Sequence, residues 1–288
     1  MARLVVDQVI VDAHVHFWDP AELEYPWLES LPSLRCAALP AGYGATIADA
    51  AAEKVEKVIV VEGNCAPGQG LKEVEFLERL ADADSRIAGI VAFVELTSAA
   101  TRHADLDAVA SRPRVKGVRQ NIQGRPPGFC LQRSFVEGVR TAGRLGLAFD
   151  ICITHDQLPD VIDLVRDCPD VRFVLDHCGK PPIRHGSFDP WASDIAHLAR
   201  CDNVSCKISG LFTEAGMHRT DDDVLRYIRH AVHCFGTARV MYGSDWPVLT
   251  MAGDHPAWRR LTRMLTDDWS ADDARRFYGD NAAAFYRL

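Results

Sequence analysis

The sequence predicts a (β/α)8 barrel, and three observations carry that expectation. Strand-like apolar runs alternate with stretches of helical periodicity about eight times along 288 residues, the pattern of parallel strands joined by helical crossovers. The length suits one barrel of about 250 residues. No G-x-G-x-x-G turn follows an early strand, as a doubly wound dinucleotide-binding sheet would require. No internal repeat, low-complexity tract or linker interrupts the chain, so residues 1–288 are expected to form a single domain.

The first strand, over 9–16, reads Val9-Ile10-Val11-Asp12-Ala13-His14-Val15-His16. A period of two puts both imidazoles on one face, where they can hold one metal ion or one substrate oxygen. The alternative is one packed core histidine and one loop histidine. A long segment, 17–44, follows, with Phe17-Trp18-Asp19-Pro20 and Tyr25-Pro26-Trp27-Leu28. A loop this long is usually functional or disordered, and its aromatics favour a lid or wall over the first strand's end.

Thr46 is placed as the cap of a helix reaching about Lys54. The second strand spans 55–61 and ends in Glu62-Gly63-Asn64. Leu71, Val74, Leu77 and Leu80 keep helical spacing. Residues 87–94 are continuously apolar, as in a strand buried on both faces. Residues 103–111 read as a helix, and 115–118 as a short fourth strand leading into Arg119-Gln120-Asn121. After the turn Gln123-Gly124-Arg125-Pro126-Pro127-Gly128, Ser134 is expected to cap a helix through Leu145, with Gly146 as its C′ residue.

The fifth strand is expected over 147–154, delivering His155. A helix over 158–166 precedes the sixth strand, 171–175, which ends Asp176-His177-Cys178-Gly179-Lys180-Pro181. Pro190 fits the first turn of a helix reaching Ala199. The seventh strand, 204–208, leads into Ser209-Gly210. Asp221-Asp222-Asp223 opens a helix running to Phe235, acidic where a helix N-terminus favours negative charge. The eighth strand, 239–242, ends Gly243-Ser244-Asp245-Trp246-Pro247, and two or more helices close the chain.

Composition narrows the function. Hydrophobic residues make up 48% and charged residues 25%, ordinary for a soluble globular protein. With 32 Lys and Arg against 40 Asp and Glu, the net charge is −8, and no long basic run occurs. Nucleic acid and membrane are therefore not expected as partners. The nine cysteines are scattered, odd in number and lack a C-x-x-C pair, which points to reduced thiols in the cytoplasm. Met1-Ala2-Arg3-Leu4 opens no long apolar stretch, so no signal peptide is expected. No feature of the sequence sets an oligomeric state.

In a parallel barrel the C-terminal strand ends share one face, and active sites sit there. The candidates at those ends are His14, His16, Glu62, Arg119, His155, His177 and Asp245. Arg119 is the expected substrate-binding cation, since a guanidinium forks onto carbonyl or carboxylate; its alternative role is a structural ion pair. Trp18, Trp27 and Trp246 suit stacking on a sugar ring or simple packing. Lys180 reaches substrate hydroxyls or faces solvent.

These stretches together resemble the amidohydrolase superfamily, and within it the amidohydrolase-2 branch that includes sugar-lactone and dicarboxylate-lactone hydrolases. The resemblance rests on the His-x-His strand with Phe17-Trp18-Asp19-Pro20, on Tyr25-Pro26-Trp27-Leu28 and on Gly117-Val118-Arg119. It continues through Val174-Leu175-Asp176-His177-Cys178-Gly179-Lys180-Pro181, Tyr242-Gly243-Ser244-Asp245-Trp246-Pro247 and Asn281-Ala282-Ala283-Ala284-Phe285-Tyr286, so it spans nearly the whole chain. It implies a distorted barrel with His14, His16, His177 and Asp245 as ligands of one divalent metal, zinc foremost, with Glu62 as a further ligand; members of the branch also work with none. Many superfamily members bridge two metals through a fourth-strand lysine or glutamate. Here Arg119-Gln120 stands at that strand end, and neither residue can bridge.

Similarity to the fuconolactonase and rhamnonolactonase members implies a sugar-acid lactone as the small-molecule substrate. A lactone is an activated ester, so a carboxylate that deprotonates water and returns the proton to the leaving oxygen can suffice. Asp245 is the expected proton shuttle, with metal or His155 and His177 polarising the carbonyl. The other readings are a metal-dependent non-oxidative decarboxylase, a pyrone-type dicarboxylate lactonase, and an inactive binding protein.

Overall fold

The computed structural model describes residues 8–48 and 53–288; the first residues of the chain and positions 49–52 of the expected 46–54 helix lie outside them. Eight parallel strands follow one another in sequence order: β1 (Gln8–Val15), β2 (Glu53–Val61), β3 (Ile87–Phe93), β4 (Val115–Arg119), β5 (Ala148–Ile151), β6 (Phe173–Leu175), β7 (Val204–Ile208) and β8 (Val240–Tyr242). Helices between them pack outside, so the architecture is the expected (β/α)8 barrel.

The seam between β8 and β1 closes just past the strand ends. Asp245 N donates to His14 O at 2.8 Å, and His16 N donates to Trp246 O at 2.7 Å. Asp12 reinforces the seam from its side chain: Oδ1 accepts from Ser244 N at 2.8 Å and from His14 N at 3.2 Å, while Oδ2 accepts the Tyr43 hydroxyl. Gly243 eases this approach, because a Cβ would lie a tight 3.0 Å from the His14 Cβ and 3.1 Å from the Ser209 Cβ. The stitching thus pulls the acidic end of β8 against the histidine end of β1.

Two apolar sets follow from strand alternation. Ile10, Val58, Val60, Ile90, Phe149, Phe173 and Ile208 belong to the large core shared with the helices. Val11, Ala13, Ile59, Val61, Val91, Val174 and Met241 form a second, inner cluster with Ala282 and Tyr286 of the helix Asn281–Tyr286. That helix closes the barrel end opposite the site: Asn281 Nδ2 donates to the carbonyls of Thr237 and Val240, at the start of β8. Charged residues occupy the same inner register nearer the site: Arg119 on β4, Asp150 on β5 and Lys207 on β7, all buried.

Most boundaries fall within two residues of the sequence expectation, and three departures have a distinct local cause. The helix near Thr46 is Pro40–Ile47, begun by Pro40 rather than capped by Thr46, whose hydroxyl donates to Tyr43 O; Lys54 already belongs to β2. Proline at a helix start needs no N–H partner, and this signal outweighs a threonine cap. The next misplaced cap is Ser134: its helix is Arg133–Arg144, with Gln132 at the N-cap position, though Gly146 does take its left-handed C′ place at φ +82. β5 ends at Ile151, so His155 starts a separate short turn, His155–Gln157. Helix Asp221–Phe235 carries the expected acidic start, with Thr220 as cap. No helix among the described residues is long and apolar enough to cross a membrane.

Candidate active site

At the C-terminal strand ends, four side chains converge on one point. His14 Nε2 lies 3.1 Å from His16 Nε2. Asp245 Oδ1 is 3.8 Å from His14 Nε2, 3.6 Å from His16 Nε2 and 3.9 Å from His177 Nε2. All four residues are buried. His16, His177 and Asp245 form part of the floor of a cavity of about 610 Å³, whose wall includes Arg119, Asn121, Lys180, Glu214 and Trp27.

Left-handed backbone accompanies this geometry. Asn64, His177, Cys178, Lys180 and Asp245 all have φ between +49° and +61° without being glycine, and each follows a strand end. Such left-handed residues cost free energy and persist where the surroundings over-determine them. Gly210, at φ +68, faces the same knot: a Cβ there would stand 2.5 Å from His177 Nδ1 and 3.1 Å from Asp245 Oδ2.

The outer nitrogen of each imidazole is engaged. His16 Nδ1 donates to Val61 O at 2.9 Å, which leaves Nε2 as a lone pair facing its neighbours. His177 Nδ1 meets Ser209 Oγ at 2.9 Å. His14 Nδ1 lies 3.3 Å from Asp176 Oδ1 and 3.2 Å from Lys207 Nζ. Burial pushes His177 down to about 4 and His14 well below the ordinary histidine value, so both rings are neutral near pH 7. Burial works to raise Asp245, but His177 and then His16 outweigh it and hold the carboxyl below its usual value.

This donor set fits a divalent cation. Neutral imidazoles and an ionised carboxylate are zinc ligands, and zinc–nitrogen bonds of about 2.0–2.1 Å in a tetrahedron imply ligand edges of roughly 3.4 Å. The 3.1 Å from His14 to His16 and the 3.6–3.9 Å from Asp245 to the three imidazoles bracket that edge, and the set among the described residues whose ligand atoms all lie within 4.8 Å of one another is His14, His177 and Asp245. Outer-nitrogen partners of the kind seen here orient metal-ligating histidines. At and behind the floor, the buried carboxylates Glu62, Asp150, Asp176 and Asp245 also outnumber the buried cations Arg119 and Lys207.

The other expected site residues divide between the cavity wall and the surrounding packing. Glu62 does not turn toward the imidazoles: its Oε1 accepts Arg119 Nε at 2.5 Å and its Oε2 accepts Asn64 N. Arg119 lines the cavity yet spends Nη1 on Asp176 Oδ2 and Nη2 on Glu62 O. His155, carried past β5 in its turn, is not among the lining residues. Trp246 is not among them either; it packs edge-on against Phe17 and Tyr43. Trp18 is fully buried, donating to Leu34 O and Cys36 O. Trp27 does line the cavity, fixed by Nε1 donating to Gly63 O at 2.7 Å. Lys180 lines it too, donating to Gln123 Oε1. Sequence reasoning missed Asp150, Lys207 and Ser209 behind the floor, and Glu214 in the wall.

The segment after β1 is a wall pinned from behind by Glu73. Its Oε1 accepts Gly63 N at 3.0 Å, on the peptide stretch that holds Trp27. Burial first, and Glu62 second, push Glu73 up to about 8, so it is protonated at neutral pH. The unfolded carboxyl ionises near 4.5. Its stabilisation is therefore complete below that pH and is lost as pH rises towards 8. Glu73→Gln, which fixes the neutral state, should flatten the fall in stability between pH 5 and 8. Urea midpoints across that range test this, and identical pH slopes in the two proteins would refute it.

Comparison with known proteins fits this geometry. A Burkholderia ambifaria protein named L-fucono-1,5-lactonase is 34% identical, covering 96% of this chain and 95% of its own. A Burkholderia multivorans L-fucono-1,5-lactonase is 29% identical over 96% of each chain. A crystal structure of a Burkholderia multivorans amidohydrolase with bound zinc superposes with a TM-score of 0.87 at 28% identity, covering 97% of this chain and 99% of that one. The family described as amidohydrolase matches residues 11–288, from the first strand to the final residue, and the chain belongs to it.

Proposed function

We propose that this protein opens the ring of a sugar-acid lactone by hydrolysis, with an L-fucono-1,5-lactone type of ring as the foremost substrate. The observation that carries this is the meeting of Asp245 Oδ1 with three imidazole nitrogens within 3.9 Å, on the floor of a cavity whose wall sets polar side chains such as Asn121, Lys180 and Glu214 among apolar ones. Relatives at 29–34% identity that bear lactonase names favour this over decarboxylation.

Asp245 is ionised and placed to take a proton from water. The resulting oxygen nucleophile adds to the lactone carbonyl carbon, the ring C–O bond breaks, and the proton returns from Asp245 to the departing ring oxygen. A divalent cation, zinc foremost, held by His14, His16, His177 and Asp245 would supply Lewis-acid polarisation of the carbonyl. Asn121, Lys180 and Glu214 in the cavity wall offer donors and acceptors suited to ring hydroxyls. Trp27 offers a flat apolar face to the ring. The nine free thiols fit a cytoplasmic setting.

Proton release from a panel of aldonolactones, followed with a pH indicator with and without chelator, tests the reading. Ring opening of 1,5-lactones of 6-deoxy sugars is expected to be fastest, and to fall when the cation is removed. A panel with no turnover, alongside carbon dioxide release from hydroxybenzoates, would overturn it in favour of decarboxylation.

A further inference from the structure

Lys207 is the one buried lysine among the described residues, and it is not among the cavity-lining residues. From β7 its Nζ donates to Asp150 Oδ2, lies 3.0 Å from Asp176 Oδ1 and 3.2 Å from His14 Nδ1. His14 Nδ1 therefore has a donor at 3.2 Å and an acceptor, Asp176 Oδ1, at 3.3 Å. A neutral ring can use only one of them, and the choice sets which nitrogen faces the site.

The two arrangements differ at the opposite edge of the ring. When Lys207 donates to a bare Nδ1, His14 carries its proton on Nε2 and donates to His16 Nε2. The donor run then reads Lys207 Nζ to His14 at 3.2 Å, His14 to His16 at 3.1 Å, and His16 Nδ1 to Val61 O at 2.9 Å. Every member is satisfied. When Asp176 accepts from Nδ1–H instead, two bare nitrogens face each other 3.1 Å apart, a repulsive contact unless a cation lies between them. The ring keeps one proton throughout.

We infer that Lys207 is a positioning residue that, against Asp176, selects the proton-bearing nitrogen of His14 and thereby sets how tightly the site holds a divalent cation. It favours the closed, metal-free run, and Asp176 favours the cation-bound arrangement. The inference rests on the four-residue site taking a cation.

The test begins with full-length wild-type protein labelled with 15N-histidine, stripped of metal and then loaded with zinc. Long-range proton–nitrogen NMR is expected to show His14 protonated on Nε2 in the stripped protein and on Nδ1 after loading. A stripped protein already protonated on Nδ1 overturns the proposal alone, whereas wild-type protein that takes up no zinc overturns the metal reading as well. Chelator-competition affinities supply the second arm. Lys207→Met should bind zinc at least tenfold more tightly, and Asp176→Asn at least tenfold more weakly. A merely structural role would shift both variants the same way, and that outcome also counts against the proposal.

Discussion

Asp245→Asn is expected to lower kcat for lactone opening about a thousandfold, within the range that general acid–base catalysis contributes, while the protein stays folded. The amide cannot take a proton from water, and it is a poorer partner for a cation. The backbone contact survives, because Asp245 N still donates to His14 O. Asparagine is also among the residues that best tolerate a left-handed conformation, here φ +61, so the substitution adds little strain. The measurement pairs initial rates on the best lactone of the panel with far-UV circular dichroism and a urea midpoint. Turnover within tenfold of wild type, with the fold retained, would sink Asp245 as proton shuttle. Because the folded-state carboxyl sits below its ordinary value, the base stays ionised down to that value. The wild-type rate should therefore show no acid limb from Asp245 between pH 7 and 5.

The contrast between Asp245 and Lys207 shows what the sequence made legible. Asp245, His14, His16 and His177 stand where a strand-like run breaks off, and a polar residue at such a break advertises itself. The barrel itself was equally readable, since strand and helix periods differ and alternate. Lys207 and Asp150 lie inside runs read only as the seventh strand, 204–208, and the fifth, 147–154. Their signal was present: a lone charge at one register of a strand must face either helices or barrel interior, and neither place tolerates it unpaired. Naming the partner needs the spatial order of strands, which brings Lys207 to Asp150 across 57 positions.

Misplaced residues have equally local causes. His155 followed a strand expected to continue to Thr154, but β5 stops at Ile151. Thr154 and Gln157 then form a capping box that starts a turn, and this competing backbone chemistry carries His155 away from the floor. Trp246 neighbours Asp245 in sequence, yet its ring turns outward onto Phe17 and Tyr43. Adjacency in sequence fixes a backbone position; side-chain direction follows the local backbone, and the left-handed turn at Asp245, φ +61, parts the two side chains.

Arg119→Leu should be the most destabilising single change at the site, costing about 3–5 kcal/mol, because removing one partner of a buried ion pair strands the other. Two carboxylates depend on this guanidinium: Glu62 through Nε at 2.5 Å and Asp176 through Nη1 at 3.2 Å. Neither carboxylate has access to solvent, so neither can recover by hydration. The fork geometry matters as well as the charge: Nε, Nη1 and Nη2 each point at a different acceptor, and a lysine in its place supplies a point charge that cannot span all three. Arg119→Lys should therefore fall between wild type and the leucine variant. The informative comparison is the double variant Arg119→Leu/Glu62→Leu, measured by urea unfolding. It should regain more than half of the loss, since the cost comes from a stranded carboxylate and not from a missing contact. A double variant as unstable as the single one would contradict that account and leave packing volume as the cause. The same pair of proteins separates scaffold from substrate contact: if the guanidinium also touches the lactone carbonyl, stability returns in the double variant but KM stays raised.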